Sequence, residues 1–164
     1  MLTLIKNIEC YSPSPQGTAD ILIANNTVAH IAPNISMDSP SLNIIDGSNL
    51  IALPGLVDSL VHISGGGGEG GFHTRTPQMS LTDASLHGVT TVIGALGTDA
   101  TTRTLPDLVA KTKGLSIEGI SAYCYTGSYH LPARTITGNV TDDVVLIDCM
   151  IGVGEVAIAD HRAA

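Results

Sequence analysis

The sequence has very few aromatic residues: no Trp, one Phe and four Tyr among 164 residues, 3% in all. A core without these large side chains must be assembled from Val, Ile, Leu and Ala, and the 43% hydrophobic content supplies enough of them for one buried core. Basic residues are also scarce, seven Lys and Arg against fifteen Asp and Glu, for a formal charge of −8. Such a surface repels phosphate backbones, so no nucleic-acid partner is expected. The three cysteines, Cys10, Cys124 and Cys149, are odd in number, widely spaced and contain no CxxC pair. This argues against a disulfide framework or a thiolate zinc site and fits reduced thiols in a cytoplasmic protein. No run of about 18 apolar residues occurs, so no membrane span is expected. The start, MLTLIKNIECYSP, lacks the basic segment and long apolar run of a signal peptide.

Glycine, by contrast, is abundant, with eighteen residues. That number implies many tight turns, or backbone that must approach a ligand closely. Residues 1–53 read as short strands broken by turn chemistry: Met1–Ile8, a Ser12–Gly17 loop, Asp20–Ala24 and Thr27–Ile31 around Asn25-Asn26, then Asn43–Ile45 and Leu50–Leu53. This predicts a small N-terminal all-β unit, part of a β-sandwich. From residue 54 the pattern becomes strand, loop, helix. Gly55–Ile63, Val89–Ala95, Ile120–Tyr125 and Ile151–Ala159 read as strands. Helices are expected over Pro77–His87 behind a Thr76 cap, over Leu105–Lys113 stopped by Gly114, and over Thr141–Met150. Strands alternating with helices imply right-handed crossovers and a parallel sheet. The expected fold is therefore α/β: over residues 54–164, about the first four strands of a TIM-type (β/α)₈ barrel, a fold that usually takes about 250 residues.

In parallel α/β folds, binding and catalysis sit at the carboxyl ends of the strands. Polar groups fall at each such end: His62–Glu69, Gly97-Thr98-Asp99, Thr126–Arg134, and Glu155 with Asp160-His161-Arg162. Taken singly, each has a structural reading as well. Thr98 could cap a helix, Tyr129 could wedge under a loop, Arg162 could be a surface charge, and Glu155 a solvated carboxylate.

Several segments carry a more specific resemblance. Pro54-Gly55-Leu56-Val57-Asp58 leading to His62 resembles the amidohydrolase signature in which Pro-Gly-x-x-Asp runs into His-x-His. The glycine run Gly65–Gly71 with Glu69, then Leu96-Gly97-Thr98-Asp99, Thr126-Gly127-Ser128-Tyr129-His130, Arg134-Thr135-Ile136-Thr137-Gly138 and Asp160-His161-Arg162, together resemble isoaspartyl (β-aspartyl) dipeptidase, a metal-dependent amidohydrolase. The likeness runs over essentially the whole chain.

The resemblance implies a zinc enzyme with two metals per site, in which a metal-bridged hydroxide attacks the carbonyl of a β-aspartyl dipeptide. It assigns His62 and Glu155 as metal ligands, Glu155 standing where the family typically carries a carboxylated lysine. Glu69 would face the substrate α-amino group, with the Gly67 backbone close to the substrate. Thr98 would hydrogen-bond the aspartyl part, Tyr129 would donate to the developing oxyanion, and Arg162 would pair with a substrate carboxylate. Asp160 and His161 are expected to be structural, and His30, His73, His87 and His130 surface or supporting residues. Full-length relatives are expected to be homo-oligomers.

One position departs from the pattern. Leu60 stands where the first His of His-x-His belongs, and leucine cannot bind zinc. The family's remaining metal-binding histidines and its catalytic aspartate are expected beyond the fourth strand. The chain is therefore expected to be an N-terminal fragment, inactive alone. The alternatives are another amidohydrolase, of dihydroorotase or hydantoinase type, or a non-catalytic remnant.

Overall fold

Strand β1 (Leu2–Tyr11) lies within its sheet with partners on both sides. Antiparallel β2 (Pro15–Ala24) flanks one side and in turn pairs with antiparallel β3 (Thr27–Ala32). Along the other side run β4 (Leu42–Asp46) and β5 (Ile51–Ala52), both parallel to β1. The structure, a computed structural model, describes residues 1–157. Its chain divides into two compact units, Met1–Pro54 and a second beginning at Gly55.

In the first unit, Asn25 adopts φ +55° at the β2–β3 turn, the left-handed conformation asparagine tolerates. Register is lost between Ile5 and Ile8, where Asn7 also has positive φ. The buried carboxylate of Asp20 accepts the backbone N–H groups of Asn7 and Ile35, each at 2.9 Å, with Lys6 Nζ 3.3 Å away. The two backbone hydrogen bonds, from Ile35 and Asn7, hold its carboxyl below the ordinary range, with Lys6 adding to them. One acid thus stitches the bulge to the segment after β3. The sheet packs Ile8, Cys10, Ala19 and Ile21 in one cluster and Leu4, Leu22 and Ile35 in another. Ser12–Gly17 is not all loop. Tyr11 pairs with Pro15 and Cys10 with Gly17, so β2 begins at Pro15.

The second unit has the expected order. Strands β6 (Leu56–Val61), β7 (Val89–Gly94), β8 (Ser121–Thr126) and β9 (Met150–Val153) form one parallel sheet in sequence order. Between them come α1 (Leu81–Ser85), α2 (Leu105–Glu118) and α3 (Val140–Leu146). This is a mixed α/β fold: a β-sheet unit followed by the first strands of an incomplete TIM-type barrel. Ile63, Val92, Leu96, Leu108, Leu115, Cys124 and Met150 form the core. Fully burying each Leu or Ile in it contributes about 1.5–3 kcal/mol.

All three helices differ at their ends from the expected ones. Helix α1 starts behind Ser80, not Thr76, in a capping box with Asp83; Ser80 N donates to Asp83 Oδ2 at 2.7 Å. Helix α2 runs through Gly114 to Glu118 and is stopped by Gly119 at φ +114°. Asn139, not Thr141, caps α3, its side chain accepting the Asp142 N–H at 2.8 Å. Strand β9 ends at Val153, short of Ala159, which lies outside the described residues. Among the described residues, no helix is long and apolar enough to cross a membrane.

Candidate active site

Each parallel strand delivers one loop beyond its carboxyl end. His62 directly follows β6, and the glycine run leads from it to Glu69. Gly65, Gly67 and Gly68 all have positive φ, which only glycine adopts readily. A Cβ at Gly67 would stand 2.9 Å from the Thr74 carbonyl. The run is pinned by Thr76: Gly66 N donates to Thr76 Oγ1 at 2.7 Å, and Thr76 N donates back to Gly66 O at 3.0 Å. This is why Thr76 does not cap a helix.

The loop after β7 supplies Gly97 and Thr98, the loop after β8 supplies Tyr129, and the segment after β9 supplies Glu155. His62, Gly67, Glu69, Thr98, Tyr129 and Glu155 all line one cavity of about 110 Å³. A second cavity of about 320 Å³ shares Gly67, Glu69 and Thr98 with it and adds Phe72, Arg75 and Asp99. Of the residues expected at the site, Arg162 lies outside the described residues, as do Asp160 and His161.

His62 Nε2 and Glu155 Oε2 are 3.1 Å apart. Two ligands held about 2.0–2.2 Å from a tetrahedral zinc would be separated by roughly 3.4 Å, so this pair fits one edge of such a coordination sphere. It does not fill one. Among the described residues no group of three His, Cys, Asp or Glu could hold a metal, and Leu60, two residues before His62 and 49% exposed, offers no donor.

Two acids order the neighbouring loops. Burial would raise the carboxyl of Asp99, but hydrogen bonds from Thr102 and Thr101, with Arg75 3.9 Å away, outweigh it and leave the group below its ordinary range. Asp143 of α3 is fully buried and accepts Thr137 N at 2.8 Å, Thr137 Oγ1 at 2.6 Å, Ile136 N at 3.0 Å and the Thr126 hydroxyl. Desolvation opposes its charge, yet these donors win and its carboxyl is also lowered. The Arg134–Gly138 segment is thereby tied to β8 and α3, while Arg134 Nη1 donates to Ala100 O at 2.6 Å.

Arg103 was not expected at the site from the sequence. It is 5% exposed, lines the same cavity as His62 and Glu155, and donates from Nη2 to Gly66 O at 2.8 Å. An arginine among threonines reads as a surface charge. The available signal was its position, in the loop between a strand's carboxyl end and the Thr104 cap of the next helix.

Parallel strands with a His, two Glu and a glycine loop gathered at their carboxyl ends define a class by fold, the TIM-type (β/α) barrel with its site at the strand ends. Dihydropyrimidinase from Brevibacillus agri NCHU1002 shares this fold, with a TM-score of 0.66 at 16% identity over 100% of this chain and 35% of that one. The particular likeness is to β-aspartyl dipeptidase, as the sequence motifs implied. The enzyme from the thermophilic, keratin-degrading Fervidobacterium islandicum AW-1 is 48% identical, with a TM-score of 0.94 over 99% of this chain and 45% of that one. Its complex with a β-Asp-Leu dipeptide matches at 48% identity and TM-score 0.93, over 99% of this chain and 43% of that one. Among curated relatives, dihydroorotase from Solibacter usitatus is 27% identical over 87% of this chain and 30% of its own length. No family model matches the chain. At the level of the family the likeness is to an enzyme, a dipeptidase, and the chain spans less than half the length of these relatives.

Proposed function

We propose that this site serves the zinc-dependent hydrolysis of β-aspartyl dipeptides. The observation that carries the proposal is the gathering of His62, Gly67, Glu69, Thr98, Tyr129 and Glu155, from four separate loops, around one cavity. These are the residues that the resemblance to a β-aspartyl dipeptidase singles out. Glu69 binds the substrate ammonium, the Gly67 backbone lies along the substrate, and Thr98 orients the aspartyl part. Tyr129 donates its phenol proton in a hydrogen bond to the oxygen that becomes negative as the amide carbonyl is attacked. Arg162 holds a substrate carboxylate through its planar fork. His62 and Glu155 would hold zinc, which when bound polarises the carbonyl and makes water acidic. A small dipeptide as partner and the family's homo-oligomeric state belong to the same reading. Three buried, free thiols at Cys10, Cys124 and Cys149 support a cytoplasmic setting.

Two donors among the described residues are too few to hold zinc tightly. The purified 164-residue chain is expected to carry less than one equivalent by elemental analysis and to leave β-Asp-Leu uncleaved; two equivalents with turnover would overturn that expectation. Substituting Leu60→His supplies a third donor and should tighten zinc binding at least tenfold in a chelator competition. Substrate class is read from amide shifts in ¹⁵N NMR. β-Asp-Leu should perturb Gly67, Glu69 and Thr98, while α-Asp-Leu should not. The 27% identity to a dihydroorotase favours a second reading, a cyclic-amide hydrolase. Perturbation of the same amides by dihydroorotate and not by β-Asp-Leu would select it.

A further inference from the structure

We propose that Arg103 is a positioning residue of this site: it fixes the glycine run through two of its carbonyls and so sets where Glu69 stands. The inference rests on the functional reading above for the role of Glu69, and on the following geometry for the rest. Arg103 is 5% exposed, and its two terminal nitrogens reach successive carbonyls of the run, Gly66 O at 2.8 Å and Gly67 O at 3.4 Å. Its Nε is buried without a partner. Among the described residues no carboxylate lies within ion-pair distance of it; Arg75 pairs with Asp99 instead. Desolvation of this guanidinium is opposed by the Asp99 and Glu69 carboxylates nearby, which favour its charge, and by its directed hydrogen bonds to the two carbonyls. Its two terminal nitrogens are directed at backbone oxygens of the glycine run itself.

The run depends on such contacts because of its backbone. Gly65, Gly67 and Gly68 have positive φ, and glycine moves between left- and right-handed regions at little cost, so the run is held by its contacts: Gly65 N donates to His62 O at 2.9 Å and Gly67 bridges to Arg75. Thr76 pins Gly66 through both its hydroxyl and its amide. Arg103 adds the contact to Gly67, two residues before Glu69. The planar fork spans both carbonyls at once, which the single ammonium of lysine cannot do.

The test uses the full 164-residue chain in three forms: unaltered, Arg103→Met and Arg103→Lys. Amide hydrogen exchange is read by NMR at Gly66–Glu69, with β7 and β8 amides as the internal reference. In Arg103→Met the Gly66 amide should exchange at least tenfold faster while β7 and β8 are unchanged, and Arg103→Lys should fall between. A β-Asp-Leu titration should show at least tenfold weaker binding for the Met variant and partial recovery for Lys. Unchanged exchange at Gly66–Glu69 in either variant overturns the proposal, as does a mobilised run with dipeptide affinity within twofold of the unaltered chain. If the Met variant does not fold, the Lys variant decides by the same exchange criterion. If the unaltered chain shows no response to β-Asp-Leu, the functional reading fails separately, and exchange alone decides for Arg103.

Discussion

Replacing Asp143 by alanine removes the one acceptor shared by four donors: the hydroxyls of Thr126 and Thr137 and the amides of Ile136 and Thr137. Hydrogen bonds to a charged group contribute about 1.5–3 kcal/mol net each. Ile136 and Thr137 are exposed and recover water when the carboxylate is lost, whereas Thr126 is fully buried and does not. The net cost is therefore about 3–4 kcal/mol, far below the sum of four bonds. Asp143→Asn keeps one carbonyl oxygen but presents an amide to donors, costing about 2 kcal/mol. Urea unfolding measures both; with a slope of about 2 kcal/mol/M, the alanine variant should lower the midpoint by roughly 1.5–2 M. Acid gives an independent check. The Asp143 carboxyl titrates lower in the folded chain than its ordinary 3.8, so its contribution is complete above that value and is lost as pH falls through the folded one. The gap between the unaltered chain and Asp143→Asn should be constant from about pH 7 to 5 and narrow below about 4. A loss under about 1 kcal/mol for the alanine variant, or a gap indifferent to acid, would refute the assignment of Asp143 as the loop's anchor.

Two further outcomes follow from the same structure. Gly97 has φ +77°, and a Cβ there would stand 2.9 Å from His62 Nε2, so Gly97→Ala should cost about 1 kcal/mol or more and shift the His62 imidazole resonances while leaving those of His87 in place; unmoved His62 signals would contradict it. Cys124 is fully buried, and burial pushes its thiol up to about 12, so a thiol reagent at about pH 8 should label it only as fast as the chain opens, and labelling as rapid as in urea would show that the core around it is open.

The strand–helix alternation was readable because each βα unit carries its own apolar strand and its own breaker. Helix ends were less so, for reasons visible in individual residues. Thr76 has the chemistry of a cap but is used by Gly66, and the local Ser80–Asp83 box takes over. Gly114 has the look of a stop, yet a Cβ there would meet only open space and Gly119 supplies the left-handed turn. At the candidate site, His62, Glu69, Thr98, Tyr129 and Glu155 come to one cavity because each follows the carboxyl end of a parallel strand, a position readable from the strand pattern. Arg103 and Asp143 could not be read in this way. A buried charge is defined by what surrounds it: Gly66 lies far from Arg103 in sequence, and Asp143 joins the distant Thr126 to the nearer Ile136 and Thr137.

The placement of β1 also bears on how the chain folds as it leaves the ribosome. The first strand to emerge can form a hairpin with β2 at once, but its other flank stays bare. Leu2 waits for Leu42, and Glu9 for Ile51. During that interval the nascent chain carries an open strand edge, the kind of surface that recruits other strands. Slower translation through residues 42–52 would prolong that exposure, and co-translational aggregation of the first unit should track the speed of that stretch.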